Sequence, residues 1–164
     1  MVYGLWTYFF PYFYRMTKKR GKKAVTRVPL QIIDVQGDGY HPLIAITLFG
    51  KSYILVLDTG ASKTAFDKTL LENANPEAII IVSERLSTGL GTNSMESFTA
   101  IISDLHIGDL LIEEFEAAVL DLSMINIAYA QLNHPQVLGV LGGDILKKYK
   151  AVIDYGGEML GLRR

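Results

Sequence analysis

The chain has 164 residues, enough for one domain with its own core. A hydrophobic content of 49% and a formal net charge of −1 exclude a disordered chain and a nucleic-acid footprint. There is no cysteine, which excludes disulfides, thiol catalysis and cysteine-ligated zinc but leaves the compartment open.

Val2 to Tyr14 is almost entirely apolar and aromatic, and Arg15, Lys18, Lys19, Arg20, Lys22 and Lys23 follow it. A signal peptide has the opposite order, charge first. A transmembrane helix needs about 20 apolar residues, and this run is shorter and broken by Pro11. Two readings stay open. One is an interfacial anchor, with aromatic residues in lipid and basic residues on anionic headgroups. The other is a poorly ordered leader over residues 1–25 that is no part of the working domain, which then spans 26–164. The expected location is cytoplasmic on the second reading and membrane-associated on the first.

Leu30 to Val35 reads as a strand, followed by a turn at Gly37-Asp38-Gly39. Pro42 to Phe49 and Tyr53 to Leu57 read as a hairpin joined by Gly50-Lys51. Asp58-Thr59-Gly60-Ala61-Ser62 comes next. A carboxylate is thus delivered at the end of an apolar run and followed at once by a turn. An unpaired buried charge is costly, so Asp58 needs donors, a partner or a function. Thr64 to Phe66 is a short strand, and Asp67 is placed to cap a brief helix through Glu72 that Asn73 to Pro76 ends. Ile79 to Val82 is a strand. Leu86 to Ser94, with Gly89-Leu90-Gly91 at its centre, reads as the tip of a long hairpin. A phosphate loop is the poorer reading there, because no third Gly, Lys or helix follows.

Ser97 to Leu105, Leu110 to Ile112 and Phe115 to Leu120 are further expected strands around Gly108-Asp109. Met124 to Pro135 reads as a loop with at most a helical turn. Val137 to Leu141 is a strand, Asp144 to Tyr149 a helix with Asp144 as its cap. Ala151 to Asp154 and Met159 to Leu162 form a closing hairpin over Gly156-Gly157. Many short strands with one or two short helices predict an all-β domain, closed or partly closed into a barrel.

Two segments together resemble the retropepsin-like, or retroviral-type, aspartic proteases of bacterial and cellular type. One is Asp58-Thr59-Gly60-Ala61. The other is Val140-Leu141-Gly142 followed by a short helical pattern, about eighty residues on. In that family a hydrophobic-hydrophobic-Gly segment threads beneath the catalytic loop. The resemblance runs from about Thr26 to Leu162. It implies a closed retropepsin-like barrel with a flap hairpin, no cofactor and no metal. Asp58, Thr59 and Gly60 are then catalytic. Ala61, Ser62, Gly89, Leu90 and Gly91 contact a polypeptide substrate, and Val140, Leu141 and Gly142 support the site.

The family's chemistry uses two carboxylates that share a proton. One Asp-Thr-Gly per chain therefore implies a homodimer with an Asp58 from each copy. A non-catalytic peptide-binding module on the same fold is the alternative. Retroviral members often carry an Asp two positions after the catalytic Gly and an Arg after the hydrophobic-hydrophobic-Gly. Ser62 and Gly143 stand there instead, so the brace that pair provides must differ.

Remaining candidates are weaker. The hairpin before Asp58 is echoed by His106 to Asp121, which makes Asp121 a decoy without a Thr-Gly to aim it. His41, His106 and His134 match no metal spacing and are expected at the surface or in loops. Asp34 and Asp38 lack calcium-loop spacing.

Overall fold

A computed structural model describes residues 25–37, 39–77, 80–83 and 97–164, with side chains at 80–83 and at 97 left aside. The leader and the expected flap, with Gly89, Leu90 and Gly91, lie outside the described residues. Twelve strands and three short helices make up the rest. Their order is β1 (Val25–Asp34), β2 (Tyr40–Leu48), β3 (Lys51–Leu57), β4 (Ala65–Asp67), α1 (Lys68–Ala74), β5 (Ile80–Ser83) and β6 (Ser97–Ile102). There follow β7 (Leu105–Ile107), β8 (Leu110–Ile112), β9 (Phe115–Leu120), α2 (Ser123–Gln131), β10 (Gly139–Leu141), α3 (Gly143–Lys148), β11 (Val152–Asp154) and β12 (Met159–Arg163).

The hydrogen-bonded path runs β11-β12-β1-β2-β3-β10-β4-β9-β6-β5, with the β7–β8 hairpin attached to β2. Its two ends do not pair with each other among the described residues, so the ladder is open where the sequence led us to expect a closed barrel. Most neighbours are antiparallel. The exceptions position the site: β10 runs parallel to β3, and β4 parallel to β9.

The run Tyr53 to Leu57 shows no alternation because both faces of β3 are covered, as in a central strand. Leu55 and Leu57 enter the main core with Phe66, Leu105, Leu141 and Leu160. Ile54 and Val56 pack on a smaller cluster of Ile33, Leu43, Tyr129 and Val137. Phe66 is fully buried, and truncating such a ring to alanine costs about 3–5 kcal/mol.

Several sequence expectations are corrected. β1 begins at Val25, because its first five residues pair with β12 at the far end of the chain. The expected strand Ser97 to Leu105 is two strands, β6 on β9 and β7 on β2 and β8. The expected loop Met124 to Pro135 contains the nine-residue helix α2. Its sequence, Ser-Met-Ile-Asn-Ile-Ala-Tyr-Ala-Gln, hides the helix because apolar residues fall on several sides, and Met124, Ile125 and Ile127 remain exposed. Asp144 is not the cap of α3. Gly142 occupies that position, and the Asp144 carboxylate accepts from Ile145 N within the first turn and from Thr64 across the fold. Asp67 does cap α1, accepting from Leu70 N at 2.9 Å.

Candidate active site

β3 ends at Leu57, paired with Leu141 of β10, and Asp58 N donates to Leu141 O at 3.1 Å. The hydrophobic-hydrophobic-Gly segment therefore lies alongside the strand that delivers the carboxylate. β4 lies on the other side of β10, with Gly139 opposite Phe66 and Val140 opposite Ala65. The chain between β3 and β4 must loop across the end of β10, and that loop carries Asp58 to Thr64.

Within the loop, Asp58 Oδ1 accepts from Gly60 N at 2.8 Å and Ala61 N at 3.3 Å. Charge-assisted bonds to backbone N–H groups orient a carboxylate. Asp58, Thr59 and Gly60 are exposed at the tip. Asp58 Oδ2 and the Thr59 hydroxyl have no hydrogen-bond partner among the described residues. One carboxylate oxygen is fixed by the loop, and the residue as a whole is exposed.

The loop is anchored from below. Gly143 N donates to Ala61 O at 2.8 Å, so a backbone bond ties the loop to the start of α3. Thr64 is fully buried. Its hydroxyl donates to Asp144 Oδ1 at 2.7 Å and accepts from Gly142 N at 3.0 Å. Asp144 Oδ1 also takes Thr64 N at 2.9 Å. Thr64 O accepts from Ala118 N on β9 at 3.0 Å. This knot holds the Asp58 loop to β9, β10 and α3. Sequence reading missed it, since Thr64 and Asp144 are eighty positions apart and each looked locally accounted for.

The backbones at Gly142 and Lys63–Thr64 meet too closely for any side chain. A Cβ on Gly142 would lie 2.5 Å from Lys63 O and 2.7 Å from Thr64 N. That explains Gly in the motif by space alone. Ser62 and Lys63 are exposed, and the Lys63 ammonium bonds Glu116 Oε1 at 2.7 Å, with both side chains about half exposed. An ion pair so exposed contributes at most ~1 kcal/mol.

The structure does not bring Asp121 to Asp58. Leu120 pairs with Asp67, so Asp121 leaves β9 at the end of β4 that leads into α1. Its carboxyl is held below the usual carboxylate range by the Ser123 hydroxyl and then by Ser123 N, which donates at 2.9 Å. His106 meets Asp104 on the surface. His41 and His134, far apart in sequence, flank one buried ring. His41 Nδ1 lies 2.6 Å from the Tyr129 hydroxyl, and His134 Nε2 lies 2.9 Å from Asp34 O. This cluster fastens α2 to the start of β2, and burial pushes the Tyr129 phenol up. No group of three metal-ligating side chains occurs among the described residues.

A protein-family model described as aspartyl protease matches residues 44–145. No curated protein matches the chain. Among the solved structures that resemble it are three at 17% identity each. EIAV protease complexed with the inhibitor HBY-793 has a TM-score of 0.51, over 74% of this chain and 99% of that one. A retropepsin-like aspartic protease from Rickettsia conorii has a TM-score of 0.49, over 87% and 94%. The retroviral protease-like domain of Ddi1 from Leishmania major also has 0.49, over 73% and 86%. The family model covers more than half of the residues, from the hairpin before Asp58 to the helix after Gly142, and the chain belongs to the aspartyl protease family, with a retropepsin-like fold.

Proposed function

We propose that this chain is an aspartic endopeptidase that works as a homodimer, each copy supplying Asp58 to one cleft. The observation that carries this reading is the Asp58 carboxylate itself, exposed at a braced loop tip with one oxygen fixed by Gly60 and Ala61 and the other without a partner among the described residues. A single chain offers one such group. Two copies related by a two-fold axis through the loops would bring two together.

Two carboxylates a few ångströms apart share one proton, because both cannot easily ionise. The ionised Asp58 takes a proton from a water held between them. The neutral one donates its proton to the carbonyl oxygen of the scissile peptide as the water oxygen bonds to carbon. The tetrahedral intermediate then collapses: the C–N bond breaks, the departing amine takes the proton from the neutral carboxyl, and one hydroxyl of the intermediate gives its proton to the ionised carboxylate, which restores the starting one-proton pair. Thr59 at the tip would bond across the axis and hold the loops in register. Ala61 and Ser62 would border the extended substrate, and the segment around Gly89, Leu90 and Gly91 would close over it as a flap.

The test is turnover of a denatured protein at mildly acidic pH by wild type and Asp58→Asn. The variant should lose cleavage and keep its melting temperature. Equal turnover by both proteins would remove Asp58 from the chemistry.

A further inference from the structure

We propose that His41 is a specificity-determining residue whose Nε2–H donates to an oxygen on a substrate side chain near the scissile bond. The inference rests on the proteolytic reading and adds the class of side chain recognised: Asp, Glu, Asn or Gln.

The sheet brings His41 beside Asp58. Leu55 and Leu57 turn into the main core, whereas Ile54 and Val56 face the cluster of Ile33, Leu43, Tyr129 and Val137. Alternation therefore puts Asp58, two residues past Val56, on the Tyr129 side of the sheet. Leu43 pairs with Val56 in the antiparallel β2–β3 register. Two residues beyond that pair, in the same direction, stand His41 on β2 and Asp58 after β3. Adjacent strands lie about 4.8 Å apart, so the two side chains start next to each other on one face. The cover over this face thins toward them. Tyr129 is buried and Val56 half-buried, while His41 and Asp58 are exposed.

Hydrogen bonding decides what the imidazole offers. Tyr129 is 4% exposed, and its hydroxyl has His41 Nδ1 as its one partner among the described residues, at 2.6 Å. A buried hydroxyl left without an acceptor is costly. Burial also pushes the phenol up, so it keeps its proton. The hydroxyl therefore donates and Nδ1 accepts, which assigns the tautomer with hydrogen on Nε2. Nε2 carries hydrogen in this tautomer and in the imidazolium alike, so the donor survives protonation. Neighbouring groups are committed elsewhere. His134 Nε2 donates to Asp34 O at 2.9 Å, and the Asp34 carboxylate accepts from Gly37 N at 2.9 Å. His41 thus keeps one oriented donor, without a partner among the described residues, on an exposed ring held from behind.

An extended peptide advances about 3.3 Å per residue and alternates its sides. A donor one strand from Asp58 therefore reaches a side chain within about two residues of the scissile bond. The two-fold axis of the dimer supplies a second His41, so the preference should fall at equivalent positions on both sides of the cut.

The test is cleavage-site profiling of a peptide library by wild type, His41→Asn and His41→Gln. It is followed by kcat/KM on matched peptides with Glu, Gln or Ala at the preferred position. An Asn amide falls where Nδ1 lies and keeps an acceptor for Tyr129, but places nothing at Nε2. A Gln amide reaches that place with an N–H. Wild type should favour the Glu and Gln peptides over the Ala peptide by roughly three- to tenfold. His41→Asn should lose that ratio at an unchanged melting temperature, and His41→Gln should regain part of it. Either order of Glu and Gln supports the donor and tells a carboxylate from an amide. A wild type without the preference, or the same preference in His41→Asn, would overturn the inference and leave the proteolytic reading standing. Absence of cleavage by wild type would overturn that reading and this inference with it.

Discussion

Gly142→Ala is the sharpest perturbation of the loop's support. The new Cβ would sit 2.5 Å from Lys63 O and 2.7 Å from Thr64 N, both backbone atoms that no rotamer change can move. Relief requires Lys63–Thr64 or the start of α3 to shift by several tenths of an ångström. Overpacking of this kind costs about 1–3 kcal/mol. The shift would also stretch the bond from Gly142 N to the buried Thr64 hydroxyl, now 3.0 Å. Its loss adds roughly 1 kcal/mol. The sum is about 2–4 kcal/mol, or a melting temperature lower by roughly 5–12 °C for a domain of this size. Gly161→Ala is the control, because its nearest contacts would be an ordinary 3.7 and 3.8 Å. Thermal unfolding followed by circular dichroism would compare the two. A Gly142→Ala protein melting within a degree or two of wild type would mean that the β10–α3 junction and the loop do not approach as described.

Further outcomes follow from the same geometry. Thr64→Val should leave Gly142 N without its acceptor in a buried place, at about 1–3 kcal/mol, and remove the hydroxyl bond to Asp144. Thr64→Ser should restore most of that stability, as denaturant titration would show. Burial raises the Tyr129 phenol above its unfolded value. Its contribution is therefore intact below the unfolded phenol range and lost as pH rises through the folded value. Phenolate absorbance should show this late ionisation, and Tyr129→Phe should abolish it while loosening α2 from His41.

The loop that carries Asp58 was legible in sequence because its signals are local. An apolar run, an Asp and a Gly turn occupy adjacent positions, and Val140-Leu141-Gly142 is equally compact. The structure adds where these pieces meet, through parallel pairing of β3 with β10 that no short-range pattern encodes. Thr64 and Asp144 escaped notice for the same reason. A Thr beginning a strand and an Asp beginning a helix both satisfy local rules, and only tertiary folding reveals that they bond each other. Helix α2 was hidden by scattered apolar residues, since its hold on the domain comes from Tyr129 with His41 and from Asn126 with Val137. β1 was read too short because its N-terminal half finds its partner at the other end of the chain.

Mixing wild type with Asp58→Asn at fixed total protein, after exchange of subunits, tests the central reading most directly. If each cleft needs an Asp58 from both copies, an equal mixture should retain about one quarter of the wild-type activity, because only wild-type pairs work. Retention of about one half, in proportion to the wild-type chains present, would show that each chain acts alone and would contradict the shared pair of carboxylates.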